Sequence, residues 1–425
     1  MLFSDDVYKN RQAKVATVWK DLLGTSDLVL VHSGESVQKP GGLDQTYDFL
    51  PHPSYFWLTG HRRDDGVMAY SLSEGWIEYQ RPLSPVDIVW EGAEGNFECE
   101  HSLEDLKKKL SGGSYKRIVH LGQPSQKMAD DEITRELSIR LDQVRRRKGP
   151  EEVRLIRQIA EMANAGYTAL KNAIRPGITE RELQLHYENA VLMAGAEKMP
   201  YGSIVGSGEN AAILHAVPTA KKVTAGELIL VDAGGDIEDY CVDITRMFAV
   251  DGKFTSQQKD VYDLVHQAHK ESVKMCRPGT QWRDVHMKSA RVIAEGLQQW
   301  GIWKSSVDAA LESGAISVFY PHGVGHLVGL KVRDTGNPEN TNPKRYYGSR
   351  LRVDLALEKD YLITVEPGCY FARAFIEDQG IRETYKDHIN WSEAEKWKTF
   401  GGVRIEDDIL ITDGEAQSLT DCVPK

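Results

Sequence analysis

Four acidic residues stand inside runs that are otherwise apolar, and no other feature limits the fold of this chain so strongly. Asp232 ends the run LILVD, and Asp243 opens the run VDITRMF eleven positions later. Glu366 lies in ITVEPG, where Pro and Gly stop an apolar strand. Glu406 lies in GVRIEDDILI, between Ile405 and the apolar residues that follow Asp407 and Asp408. A carboxylate in a β-branched strand is unfavourable unless it is paired or bound to a cation. Gly234, Gly235 and the polar residues 236–239 lie between the two aspartates. A hairpin bending near residues 237 and 238 would set Asp232 and Asp243 across from each other on one face. Two carboxylates that close repel, and one is driven to its protonated form unless a cation lies between them. The pair alone also fits a plainer reading, with one aspartate capping a turn and the other facing solvent. Each glutamate alone also fits an exposed or salt-bridged residue. Arg404, two residues before Glu406, shares its face and is a candidate partner.

The segment FYPHGVGHLVG (319–329) adds His322 and His326, with Gly323 and Gly325 between them. Each glycine weakens a helix by roughly 1 kcal/mol relative to Ala, so this is not the helical H-E-x-x-H zinc motif. The glycines instead suggest backbone that bends sharply or approaches something closely. Either histidine alone also fits a satisfied core residue. Together, Asp232, Asp243, His326, Glu366 and Glu406 form a set of four carboxylates and one imidazole, suited to two divalent cations. Oxygen-rich ligands favour Mn²⁺, with Co²⁺ or Zn²⁺ as alternatives. Two ions roughly 3.5–4 Å apart can share a bridging water and lower its pKa, giving a hydroxide able to attack a carbonyl.

The chain has 425 residues, enough for two or three domains. Acidic residues exceed basic ones, 63 to 52, which disfavours nucleic-acid binding. No apolar run reaches the roughly 18 residues of a membrane span, and the opening MLFSDDVYKNRQAK does not read as a signal peptide. Cys99, Cys241, Cys276, Cys369 and Cys422 are widely spaced with no C-x-x-C pair, as expected of reduced thiols in a cytoplasmic protein.

Strand candidates LVLVHSG (28–34), GVMAYSL (66–72) and KRIVHLG (116–122), with helix-like stretches between, predict an N-terminal α/β domain over 1–149. Gly149, Pro150 and two glutamates then open a long helical pattern. The basic residues 145–148 before it read as a solvated linker. Residues 150–425 predict an α+β domain. Helices near 151–174, 180–195, 255–276 and 281–300 flank an antiparallel sheet from 227–235, 242–250, 361–371 and 401–412. Residues 372–399 read as an ordered loop or short helix.

The strings DAGGDIEDYCVDITR (232–246), PHGVGH (321–326), VEPGCYF (365–371) and GGVRIEDD (401–408) resemble the metallopeptidase family of methionine aminopeptidase, aminopeptidase P and prolidase. That family's catalytic domain has the pita-bread fold. The resemblance covers about 150–425 and implies that the five residues above are metal ligands. Asp243 and Glu406 would bridge the two ions, Asp232 would be bidentate on one, and His326 with Glu366 would complete the other. YGSIVGSGENAAILHA (201–216) resembles the stretch with a substrate-facing histidine, here His215, and implicates Tyr201 in substrate binding. YFWLTG (55–60) resembles a strand of the N-terminal domain of the prolidase and aminopeptidase P branch.

KDHINWSEAEKWKTFGGVRIEDD (386–408) looks most like prolidases, which cleave dipeptides ending in proline. The resemblance thus implies dinuclear hydrolysis of Xaa-Pro dipeptides by a metal-bridging hydroxide. Glu366 would carry a proton to the proline nitrogen, and His322 and His215 would bind the substrate or stabilise the oxyanion. Arg404, Tyr240 and Thr245 would support the ligands from outside, although core packing explains the last two equally well. The alternatives are an Xaa-Pro aminopeptidase acting on longer peptides and a pita-bread binding module without catalysis. Hydrolysis of phosphorus esters as a side reaction, known in some relatives, is a third alternative that the sequence leaves open. Two departures stand out. Relatives usually carry LGLxVHD after the metal histidine, where this chain reads VGLKVRD with Arg333, and Ala216 stands where relatives commonly have Tyr. Arg333 is therefore a candidate to hold a substrate carboxylate. A homodimer, with the N-terminal domain closing the site and Asp44 reaching a partner subunit's site, is also implied.

Overall fold

The computed structural model describes residues 2–43, 45–92, 100–122 and 131–425. Asp44 and Cys99 lie outside the described residues. The chain divides into two compact units, Met1–Arg145 and Arg146–Lys425.

In the first unit, β1 (Asp27–His32), β2 (Val67–Ser71), β3 (Gly75–Tyr79) and β4 (Arg117–Gly122) form one sheet in the order β3-β2-β1-β4. β1 runs antiparallel to β2 and parallel to β4. Leu28, Leu30, Val67, Ala69, Tyr79 and Leu106 build its core. The run YFWLTG is not a strand. It lies in the helix Pro53–Thr59, opened by Pro53 with the His52 ring accepting from the Ser54 N–H, and closed by Gly60 at φ +73°. Residues 54–59 are all buried, so hydrophobicity carries no period that separates strand from helix.

In the second unit the helices Pro150–Ala173 and Glu180–Met193 pack together, as do Ser256–Met275 and Trp282–Gln299. The basic residues before them are not a solvated linker. Arg146 forks onto Glu339 at 2.6 and 2.9 Å, and Lys148 meets Asp334 at 2.9 Å, both cations nearly fully buried. Charge runs are buried when each charge finds its own acid.

The strands of this unit are β5 (Ile204–Ser207), β6 (Leu228–Asp232), β7 (Asp236–Ile237), β8 (Tyr240–Cys241), β9 (Thr245–Ala249), β10 (Arg345–Tyr346), β11 (Ser349–Arg350), β12 (Leu362–Val365), β13 (Gly368–Phe371), β14 (Gly401–Arg404), β15 (Asp407–Leu410) and β16 (Gln417–Ser418). β5-β6-β9 and β12-β15-β16 are three-stranded antiparallel sheets, and β13 pairs with β14. Short helices Arg373–Glu377, Gln379–Thr384 and Trp391–Ala394 occupy the stretch before β14. No described helix is long and apolar enough to cross a membrane.

The predicted strands 361–371 and 401–412 each break in two, and the breaks fall at Glu366 and Glu406. Val365 pairs with Asp407 and Gly368 with Arg404. That register, carried across the break, sets Glu366 opposite Glu406. The hairpin of β6 to β9 turns at Glu238 and Asp239, with φ of +51° and +68°. Two consecutive positive φ values are the signature of the two-residue hairpin turn. The bend lies one residue later than expected, so Asp232 faces Thr245 instead of Asp243. A shift of two along the partner keeps Asp243 on the same face.

Candidate metal centre

An antiparallel bridge from Thr245 to Glu406 joins the two hairpins, so their carboxylates meet. The segment carrying His326 is laid beside them by hydrogen bonds from the Thr364 N–H to the His326 carbonyl and from the Glu366 N–H to the Val324 carbonyl, both 2.8 Å. Gly325 is required here, because a Cβ would come within 1.9 Å of the Thr364 carbonyl oxygen. The close approach read from the sequence is therefore the backbone of β12.

The five predicted ligands line one cavity of about 560 Å³, together with Tyr201, His215, His322, Arg333 and Arg404. Asp243, His326 and Glu406 offer ligand atoms all within 4.8 Å of one another. The Tyr201 hydroxyl lies 2.8 Å from Asp232 Oδ1 and 2.5 Å from Asp243 Oδ1, tying that pair together. His326 Nε2 lies 3.5 Å from Asp243 Oδ2 and 3.7 Å from Glu366 Oε1, while its Nδ1 is 3.1 Å from the Leu327 carbonyl. A proton on Nδ1 satisfies that carbonyl and turns the Nε2 lone pair towards two anions. That arrangement is repulsive unless a proton or cation lies between.

Electrostatics point the same way. Burial drives the Asp232 carboxyl up to about 7, although the Arg404 guanidinium opposes it. Burial, then Asp243, Glu366 and Asp232, hold Glu406 well above the usual carboxylate range. Burial pushes Asp243 up, but His326, Tyr201 and Arg404 together outweigh it and hold that carboxyl low. Without a cation the cluster can keep its fold only by taking up protons. An oxygen-rich set with surplus negative charge fits divalent cations.

The predicted supporting residues divide. Arg404 donates from Nη2 to Asp232 Oδ2 at 2.5 Å, from Nε to Thr245 Oγ1 at 3.1 Å and from Nη1 to the Tyr370 hydroxyl at 2.9 Å. Thr245 donates to Glu406 Oε2 at 2.7 Å. Tyr240 does not join them, because its hydroxyl donates to Glu152 Oε1 at 2.8 Å. It stands an odd number of residues from Asp243 and so points to the other face. His322 is buried, with Nε2 2.8 Å from the Tyr370 hydroxyl and Nδ1 2.9 Å from the Gly323 carbonyl and 3.6 Å from Glu366 Oε2. Burial and the nearby Arg404 lower it to about 3, so it is neutral. Sequence reading missed Tyr370, which links His322 to Arg404, and Arg352, 3.3 Å from Glu366 Oε1. Tyr370 lies in the matched string VEPGCYF; nothing local to RLRVDL marks Arg352.

Residues 154–413 match the family Peptidase_M24, metallopeptidase family M24. A probable Xaa-Pro aminopeptidase of Sclerotinia sclerotiorum is 31% identical over 394 residues, covering 89% of this chain and 72% of its own. A probable Xaa-Pro aminopeptidase of Paracoccidioides brasiliensis is 29% identical over 430 residues, covering 94% and 91%. Among solved structures, the aminopeptidase PepP of Pseudomonas aeruginosa superposes with a TM-score of 0.80 at 26% identity, over 100% of this chain and 97% of that one. Aminopeptidase P from E. coli with the inhibitor Pro-Leu has the same fold, with a TM-score of 0.80 at 24% identity. The relatives named here are Xaa-Pro aminopeptidases, and the narrower likeness to prolidases expected from the sequence finds no support in them. A match spanning most of the second unit, on strands that bring the acids together, places this chain in metallopeptidase family M24, with that family's pita-bread fold.

Proposed function

We propose that the chain is an Xaa-Pro aminopeptidase, removing the first residue of a peptide whose second residue is proline. The observation that carries this reading is that relatives matching about nine-tenths of the chain are described as probable Xaa-Pro aminopeptidases. The dipeptidase expectation gives way to it. We further infer that Asp232, Asp243, His326, Glu366 and Glu406 hold two divalent cations, manganese first, with cobalt or zinc as alternatives. When bound, such ions polarise a carbonyl and lower the pKa of an attacking water.

The chain's own residues do the rest. The proline nitrogen, like any amide nitrogen, needs a proton to leave as an amine. Glu366 faces the cavity and is placed to carry that proton. Neutral His322 lines the cavity beside Glu366, oriented by the Gly323 carbonyl at one ring nitrogen and the Tyr370 hydroxyl at the other. Burial and the cationic field of Arg333 lower the His215 imidazole, so at neutral pH it serves as a hydrogen-bonding group for the substrate. Arg404 and Thr245 fix Asp232 and Glu406. The test is to load the protein with manganese and follow Ala-Pro-Ala, Ala-Pro and Ala-Ala-Ala. Alanine release from Ala-Pro-Ala at a rate at least equal to Ala-Pro is expected. Turnover of Ala-Pro alone would restore the dipeptidase, and turnover of none would end the peptidase reading.

A further inference from the structure

The cavity holds more positive charge than its own acids engage. Arg181, Arg333, Arg352 and Arg404 all line it, in a chain of net charge −11. Arg404 is committed to Asp232 and Arg352 to Glu366. Among the described residues, Arg181 and Arg333 make no ion pair, and Arg181 rests on the neutral amide of Gln184 at 2.7 Å.

Arg333 is held in place by its neighbours. The Asp334 N–H donates back to the Leu327 carbonyl at 3.1 Å, folding the loop against the residue after His326. On one side Lys331 meets Asp239 at 3.1 Å, and on the other Asp334 meets buried Lys148 at 2.9 Å. The acid that would most simply neutralise Arg333 is thus held by another cation. The loop is anchored on both flanks while the guanidinium between them stays exposed on the cavity.

We propose that Arg333, with Arg181, is a specificity site that binds a carboxylate carried by the substrate beyond the scissile bond. This deepens the peptidase reading and rests on it. A peptide has opposite charges at its ends. Removal of the first residue sets the peptide's amino end beside the metal ligands, and its ammonium is repelled by arginines, which leaves the downstream end to face them. A guanidinium is permanently charged, and its planar fork matches a carboxylate bidentately, which the imidazole usual at this position does not. The carboxylate has two sources: the peptide's own C-terminus or the side chain of an acidic residue after proline.

The test compares Ala-Pro-Ala with its C-terminal amide, and Ala-Pro-Glu-amide with Ala-Pro-Gln-amide. Wild-type protein should favour the charged member of one pair by roughly tenfold in kcat/KM, mainly through KM. The favoured pair identifies the source. R333A should bring that ratio to about one, R333K should keep part of it, and R181A should lower it less. Ratios within one preparation cancel any loss of folded protein. Equal rates within both pairs for wild type, or an unchanged ratio in R333A, overturn the proposal. Calorimetric binding of Pro-Ala against its amide, and of Pro-Glu-amide against Pro-Gln-amide, reads the same site without turnover, and equal affinities within both pairs likewise overturn it. Discrimination in binding with no Xaa–Pro cleavage would instead sink the peptidase reading and leave the carboxylate site standing.

Discussion

Glu406 and Asp407 are adjacent in sequence and equally buried, yet they live in opposite electrostatic surroundings. Successive residues point to opposite sides of the chain at this point. Asp407 meets Arg246 at 2.7 Å, His269 at 3.1 Å and Lys425 at 2.6 Å, and accepts from Thr420 at 2.9 Å. Its burial is overcome by Arg246 and His269, which hold its carboxyl far below the usual range. Glu406 has one neutral donor, Thr245, and faces three other carboxylates that raise it. The fold neutralises a buried acid with its own side chains on one side and leaves the adjacent acid uncompensated on the other. That contrast marks the cavity side as the place for cations.

The sharpest way to break the contrast is to neutralise each acid in turn. Glu406→Gln should cut peptidase activity by more than about a hundredfold, since even the supports around a metal cost 10–100-fold. The same change should leave the metal-free protein as stable as wild type or more so, because it removes a repelled charge. Asp407→Ala should do the reverse in kind, costing about 3–5 kcal/mol in denaturant unfolding by leaving buried cations unpaired. Equal destabilisation by both changes would mean that Glu406 is an ordinary structural acid.

Smaller effects test the supports. Thr245→Val and Arg404→Lys should each weaken metal affinity by about 10–100-fold, read by competition with a chelating dye, while Tyr240→Phe should not. An equal loss in Tyr240→Phe would restore it to the site.

The smallest expected effect is on pH. Asp232 is raised in the metal-free fold to about 7, from an ordinary value of about 4. Its contribution is therefore full below about pH 4 and is lost as pH climbs through about 7. Asp407 is depressed, so its contribution is full above about pH 4 and is lost as pH falls below that. Melting of chelator-treated protein should show stability falling on both sides, and divalent cations should abolish only the alkaline fall. Stability rising steadily to pH 8 in the chelated protein would contradict the Asp232 assignment.

Much of the catalytic unit is legible in the sequence because its acids violate strand patterning and so betray themselves. The four long helices are likewise visible through their period, and the first also through Gly149 and Pro150 at its start. Three things were not legible. The breaks at Glu366 and Glu406 follow from pairing across hairpins. Helix Pro53–Thr59 hides because it is buried on every side. The pairing of Arg146 and Lys148 depends on acids some 190 positions away, at Glu339 and Asp334.

Calorimetric titration of Mn²⁺ into chelator-treated protein at pH 8, repeated at pH 4, reads the uncompensated acids most directly. The account predicts about two equivalents bound at pH 8, a rise in Tm with them, and both effects largely lost at pH 4, where Asp232 and Glu406 are protonated. No uptake at pH 8 with excess metal, or uptake unchanged in Glu406→Gln, would contradict it.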